Sequence, residues 1–495
     1  MQEECGRATH GPCDAIGPVD PSFSPRRPPA VAAEAMVATS QPLATRAGLR
    51  ALERGGNAVD AALAAAAVLC VTEPMSTGVG GDMFVQVWDG KELQGLDAAG
   101  SAPLRADPDS PVEETGPTSV TVPGAVGGWA ALAERLGRLG LDTALEDAIT
   151  AAENGFAVAG RTARAWATAH AALALGPIPD LGERVQLPEL GATLRRIADE
   201  GPDAIYRGEV AEAIASCSWL DEEDLTGYRP RWVEPLRLDY RDTTVCELPP
   251  PTQGVAALEG LGLLGRRFPE VPEQVECVRL ALEDAFEHVR DGADVTGLLD
   301  ADFLARRRQD RSVHVAEPPG GTVYLCVVDG DRMAVSLIQS LYDSFGSGIV
   351  APGTGIVLQN RGACFAISGH VEPGRRPYHT IIPGMLLRDG KLLGPFGVMG
   401  GFLQAQAHVQ VVPWLGDYVR DPQWVLDRPR FRIDGDLVLL EGELWESAPE
   451  IEALGLRVKA EPDPTVFGGG QAIVVRGDVL LGGSDSRKDG YAAGF

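Results

Sequence analysis

Positive charge is scarce in this chain of 495 residues: 43 Lys and Arg stand against 70 Asp and Glu, a formal net charge of −27. That balance repels phosphate backbones and anionic lipid, which argues against nucleic-acid binding and against a membrane-surface role. The acidic residues are spread along the chain, a pattern that serves solubility rather than an interaction tail. Long apolar runs are missing as well. The longest, from Ala58 to Val71, contains Asp60 and is too short and alanine-rich to span a bilayer. The 8 cysteines include no C-x-x-C pair and no repeating spacing, and several lie in apolar runs, which fits buried free thiols in a reducing compartment. Cys5, His10 and Cys13 lie close together, but in a Pro/Gly-rich leader without a fourth ligand, so no metal site is read there. The first residues carry Glu3, Glu4 and Asp14 and no apolar signal region. The expectation is a cytoplasmic protein that needs no cofactor.

Several nucleotide and catalytic signatures are also absent. Thr77-Gly78-Val79-Gly80-Gly81-Asp82 looks like a phosphate loop but fails G-x-G-x-x-G, because Met83 stands at the last glycine position. No P-loop, G-x-S-x-G elbow, H-E-x-x-H or EF-hand loop occurs. The glycines are read as close packing of a loop against a sheet.

What is present is a long alternation of elements. Residues 1–33 read as a disordered leader broken by Pro21, Pro25, Pro28 and Pro29. Met36 begins a short strand, Ser40 and Pro42 start a helix, and a second helix runs from Asn57 to about Cys70. Helical periodicity fills 126–137, 142–155, 160–174, 188–200, 207–217, 254–266 and 273–291. Strands then dominate: 322–329, 333–341, 355–360, 379–387, 391–396, 436–441 and 471–480, with a helix starting at Gly400-Gly401. The fold class is α/β, helices layered on sheets in one compact domain.

One junction stands out, Gly320-Gly321-Thr322, where a Pro/Gly segment meets a buried strand. Thr322 has two readings: a strand-leading threonine, or a nucleophile freed by cleavage of the bond before it. Further along, Asp485, Arg487, Lys488 and Asp489 form a charged knot, read as a loop stapled by its own salt bridges or as support for the nucleophile.

The chain beyond the leader resembles the γ-glutamyltranspeptidase family of N-terminal-nucleophile hydrolases. The resemblance rests on Gly55-Gly56-Asn57-Ala58-Val59-Asp60-Ala61, Val122-Pro123-Gly124, Pro250-Pro251-Thr252-Gln253-Gly254, Thr322 with its strand, Phe345-Gly346-Ser347-Gly348, Gly400-Gly401 and Gly482-Gly483-Ser484-Asp485, in that order. It implies an αββα sandwich made as one precursor, cut at Gly321–Thr322 into a large subunit (34–321) and a small one (322–495) that stay together as a heterodimer. It also implies Thr322 as nucleophile, Ser340 as its hydroxyl partner, and the N–H groups of Gly400 and Gly401 as oxyanion donors. Two glycines before Thr322 ease the strained backbone that such a cut needs, and the freed amine, with a reference pKa of about 7.7–8.0, serves as base.

Glutamyl-transferring members hold the substrate α-carboxylate with an arginine in an Arg-Glu-x-Ala-Pro segment, where this chain has Asp97-Ala98-Ala99-Gly100-Ser101-Ala102-Pro103. They hold the α-amino group with an acidic side chain in a segment that here reads Gln359-Asn360-Arg361-Gly362-Ala363-Cys364-Phe365. With both ion pairs lost, the sequence is closer to the amidohydrolase and acylase branch, similar to oxamate amidohydrolase and cephalosporin-acylase-like enzymes. A small anionic substrate is expected, its carboxylate facing Arg361, with Asn360 and Tyr342 in the pocket. The alternatives are γ-glutamyl hydrolysis or transfer, a tailoring reaction on a natural-product intermediate, and an uncut, non-catalytic scaffold.

Overall fold

The computed structural model describes residues 27–169, 171, 174–266, 268–309, 321–416 and 421–495. Cys5, His10 and Cys13, most of the expected leader, and residues 318–320 before the glycine–threonine junction lie outside them.

Two seven-stranded antiparallel sheets lie face to face. The first carries, in spatial order, Tyr491–Gly494, Met36–Thr39, Gly321–Val328, Ala334–Tyr342, Asp82–Trp88, Leu93–Ala98 and Arg231–Val233. The second carries Ala30–Ala32, Val479–Ser484, Gly469–Arg476, Lys391–Met399, Gly384–Arg388, Thr243–Glu247 and Leu236–Tyr240. Strands from before and after residue 321 are interleaved in both sheets, so neither half of the chain closes a sheet alone.

Strand periodicity explains the layers. Along Gly321–Val328, Val323, Leu325 and Val327 join the core under one set of helices, while Tyr324, Cys326 and Val328 join the core between the sheets. Both faces of this strand are covered, which is why it reads as an unbroken apolar run. Helix Ala58–Thr72 is buried along its whole length and packs on this strand and on its neighbour Ala334–Tyr342. The second sheet is covered by Gly254–Leu264, Val271–His288 and Leu403–Leu415. The result is the αββα sandwich that the resemblance implies.

The expected elements differ in several places. Ala30–Ala32, inside the expected disordered leader, is a strand because it pairs with Leu480, Leu481 and Gly482. Residues 379–387 yield a strand only over Gly384–Arg388, because the His379 N–H donates to Pro251 O and the Ile382 N–H to Gln404 Oε1 instead of to a ladder. Within 355–360 only Ile356–Val357 is strand; the N–H groups of Leu358, Gln359 and Asn360 go to three separate segments, at Ile349, Gly80 and Leu341. The strand Lys391–Met399 runs on to the glycine pair, and the helix after it starts only at Leu403. Ser40 is not the cap of helix Pro42–Glu53 either: Gln41 accepts the Leu43 N–H, and Ser40 Oγ instead bonds the carboxyl of Glu73.

The start of helix Ala58–Thr72 is tightly held. Asn57 Oδ1 accepts the N–H groups of Val59 and Asp60, and the Asp60 carboxylate accepts the Asn57 N–H in return. The same buried carboxylate accepts from Arg138 N–H and Leu139 N–H, tying a second helix end to the first. Asp60→Ala leaves these donors without a partner, so it is expected to cost about 2–3 kcal/mol and to lower the thermal midpoint by several degrees, measured by scanning calorimetry.

Candidate active site

Thr322 is buried, on the third of the seven strands of the first sheet, next to the central one. Gly321 stands opposite Tyr342 and Val323 opposite Gln339, so Ser340 and Leu341 together face the single residue Thr322. This is a bulge, which re-aims side chains and bends the strand that carries the extra residue. Tyr342 absorbs the bend with φ of +77°, a region that a bulky side chain rarely adopts. The consequence is local: Ser340 Oγ accepts the Tyr342 N–H at 2.8 Å and lies 3.3 Å from Thr322 Oγ1. That separation is long for a hydroxyl pair, whose usual range is about 2.5–3.0 Å, and has room to tighten around a reacting group.

The expected packing role of the early glycines is realised here. A methyl group at Gly81 would stand 2.3 Å from the Ser340 carbonyl oxygen, so only glycine lets the loop approach the bulge. Gly400 and Gly401 have φ of +137° and +62°, a turn by which the chain leaves strand Lys391–Met399 for the helix at Leu403.

A cavity of about 310 Å³ opens over Thr322. Its walls include Met399 at the end of the second sheet's central strand with Gly400 and Gly468, then Glu73, Met75 and Ser76 just after the long buried helix, and Arg161, Thr162 and Arg164 from helix Gly160–Thr168. Lys488 and Asp489 complete it. Glu73 is buried, which pushes its carboxyl above the usual range, while the charge of Lys488 and the bond from Ser40 act the other way.

Thr322 and Gly400 line the cavity and Ser340 lies against Thr322; Gly401, Arg361, Tyr342 and Asn360 do not line it. Asn360 is used by its surroundings, accepting the Asp343 N–H at 3.0 Å and donating to Glu114 O at 2.7 Å. Arg361 is fully buried, its guanidinium 4.3 Å from the centre of the Tyr342 ring, with Nη1 donating to Thr380 Oγ1 at 3.1 Å. Behind it sit Asp82, pushed up to about 7 by burial, and His379, which burial holds well below its usual value. Asp82 Oδ2 and His379 Nε2 are 3.5 Å apart; burial disfavours the charged form of each, and with the imidazole held neutral the contact is not an ion pair.

Sequence reasoning missed Glu73 and Arg161, and read Lys488 only as part of the charged knot. The charged knot was visible, and much of it is a staple: Asp485 holds Arg430 and Arg487, and Arg487 also reaches Glu441. Lys488 and Asp489 are the part of that knot that faces the cavity. Glu73 carries no signal beyond its place just before the glycine cluster. Among the described residues no group of three or more His, Cys, Asp or Glu is set to hold a metal ion, and no helix is long and apolar enough to cross a membrane.

Two antiparallel sheets packed face to face between helices, the αββα sandwich, are the architecture of the N-terminal-nucleophile hydrolase class. Residues 44–495 match the family model described as Gamma-glutamyltranspeptidase, and the chain belongs to that family of enzymes. It is 33% identical to the oxamate amidohydrolase proenzyme of Klebsiella pneumoniae over 94% of this chain and 99% of the relative. It is 32% identical to the glutathione hydrolase-like YwrD proenzyme of Bacillus subtilis, covering 93% of this chain and 98% of that one. Among solved structures, a cephalosporin acylase from Bacillus halodurans superposes with a TM-score of 0.89 at 38% identity, covering 96% of this chain and 99% of its own.

Because Gly81 sets the distance to Ser340, Gly81→Ala is expected to displace the serine and lower kcat by about 10²-fold, with the protein still folded by circular dichroism. Ser340→Ala removes the hydroxyl beside Thr322 together with the acceptor of the Tyr342 N–H, and should lower kcat to a similar degree. Steady-state turnover of both variants checks the pair.

Proposed function

We propose that the chain is an autoprocessed amidohydrolase that cuts an amide bond of a small anionic substrate through a Thr322 acyl-enzyme. The observation that carries this reading is the Thr322–Ser340 hydroxyl pair, 3.3 Å apart and opening onto a cavity that also holds Gly400. In the precursor, Thr322 Oγ attacks the Gly321 carbonyl carbon; the peptide C–N bond breaks, which frees the Thr322 α-amino group and leaves an ester, and water then hydrolyses that ester to the Gly321 carboxylate and the Thr322 hydroxyl. The freed amine then takes the Oγ proton as Oγ attacks the substrate carbonyl. The N–H groups of Gly400 and Gly401 face the developing oxyanion, an interaction typically worth about 10²–10³ in kcat. The proton passes to the departing amine, and water attacks the acyl-enzyme to restore Thr322.

Both sheets interleave strands from 34–321 with strands from 322–495, which supports a heterodimer that stays assembled after the cut. Amide hydrolysis is supported by the similarity to an oxamate amidohydrolase and to a cephalosporin acylase. Arg361 acts from behind: its cation lies over the Tyr342 ring and thereby holds the backbone N–H that bonds Ser340. The described cysteines are all free thiols, in keeping with a cytoplasmic protein.

The similarity to a glutathione hydrolase-like relative favours γ-glutamyl cleavage as a second reading. Against it, Ala99 and Cys364 are both buried where glutamyl-transferring members place charged groups, and burial raises the Cys364 thiol further from ionisation. The two readings separate on a pair of chromogenic anilides. The enzyme is expected to hydrolyse a simple acyl p-nitroanilide at least about tenfold faster, by kcat/KM, than γ-glutamyl p-nitroanilide, a gap of about 1.4 kcal/mol or more. Comparable rates would favour the glutamyl reading.

A further inference from the structure

The charges around the nucleophile are unequally committed. Three acids line the cavity, and each is already engaged. Glu73 is bonded by the Ser40 hydroxyl. Asp463 accepts from Arg164 Nη2 at 2.7 Å and from the Thr465 hydroxyl at 2.8 Å. Asp489 accepts the N–H groups of Arg161 and Thr162 at 3.0 and 2.7 Å and the Thr162 hydroxyl at 2.9 Å. Among the cations, Arg164 is paired with Asp463, and Arg487 with Glu441 and Asp485. The guanidinium of Arg161 and the ammonium of Lys488 form no ion pair and no side-chain hydrogen bond among the described residues, yet both line the cavity over Thr322.

Their placement is fixed by the backbone rather than by chance rotamers. Asp489 grips the first turn of helix Gly160–Thr168 through the N–H groups of Arg161 and Thr162, so the segment that carries Lys488 is tied to the helix end that carries Arg161. The Lys488 stem lies along Gly469, where a methyl group would come within 2.5 Å of its Cγ, and the Lys488 N–H donates to Asp485 O at 3.0 Å. Lys488 acts on Glu73, and Arg161 on Asp463, only through space and without an ion pair, so both cations keep their donors for an anion that enters the cavity.

We propose that Arg161 and Lys488 form a clamp for a carboxylate of the substrate, making the preferred ligands small mono- or dicarboxylates carried on the scissile amide. This rests on the reading of the cavity as an amidohydrolase site, and it assigns the anion to different side chains from Arg361, whose guanidinium is committed to the interior.

The clamp is tested by calorimetric binding of succinate, with uncharged succinamide as the matched control, to the purified protein, its Arg161→Gln, Lys488→Gln and Arg161→Lys variants, and Arg105→Gln, which removes an exposed charge outside the cavity. Succinate is expected to bind the wild type and to bind each Gln variant about tenfold or more weakly, the loss of one charge-assisted contact. Arg161→Lys, which keeps the charge, should stay within about threefold, and Arg105→Gln should match the wild type; succinamide should not bind. Equal affinity in wild type and both Gln variants, an equal loss in Arg105→Gln, or no succinate binding at millimolar concentration overturns the clamp. The readout needs no turnover, so failure of amide hydrolysis alone would sink the functional reading and leave the clamp standing.

Discussion

Two residues opposite one, Ser340 and Leu341 against Thr322, is the irregularity on which the site depends. A regular antiparallel pair would keep both hydroxyls in the pleat. The extra residue instead turns Ser340 so that its oxygen stands 3.3 Å from Thr322 Oγ1, and the cost appears as the positive φ of Tyr342. The neighbourhood is arranged to hold that bend. Gly81 gives the backbone clearance, the Tyr342 N–H is satisfied by Ser340 Oγ, and the Tyr342 ring is covered by the Arg361 guanidinium. Disturbing any of these acts on the nucleophile through one or two contacts.

Behind the bulge lies an interior more polar than an apolar core requires. Arg376 is paired with Asp97 and Arg430 with Asp485, all of them buried, so in these pairs each buried charge has its partner. Asp82 and His379 meet the same problem differently, since burial drives both toward their neutral forms. Arg361 belongs to this interior rather than to the cavity, which separates two jobs that one arginine cannot do at once. A guanidinium stacked on Tyr342 and bonded to Thr380 keeps the bulge in shape, while the uncommitted cations stand on the far wall.

The layers and the nucleophile's strand were legible in the sequence because their signals are local. An unbroken apolar run from Val323 to Val328 means a strand covered on both faces, and helix 188–200 is bounded by Pro188 and Gly201 as written in the chain. The irregular segments were not legible, because their backbone groups bond to distant partners: His379 to Pro251, and Gln359 to Gly80. The cavity wall was the least legible part. Arg161, Glu73 and Lys488 lie far apart in the chain and come to one cavity through bonds to distant partners, Asp489 for the Arg161 N–H and Ser40 for Glu73. Arg361 was visible as a departure in a familiar segment, but which way a buried arginine points is decided by the ring and hydroxyl it packs against, not by the residues beside it.

The central claim is that Thr322 becomes the first residue of its own chain. Denaturing electrophoresis of the purified protein, with N-terminal sequencing of the smaller band, tests it most directly. The account predicts two bands, the smaller one beginning Thr-Val-Tyr-Leu-Cys, and a single uncut band for Thr322→Ala. A wild-type protein that remains one full-length species, a smaller band with another first residue, or a Thr322→Ala variant that is still cut would contradict it.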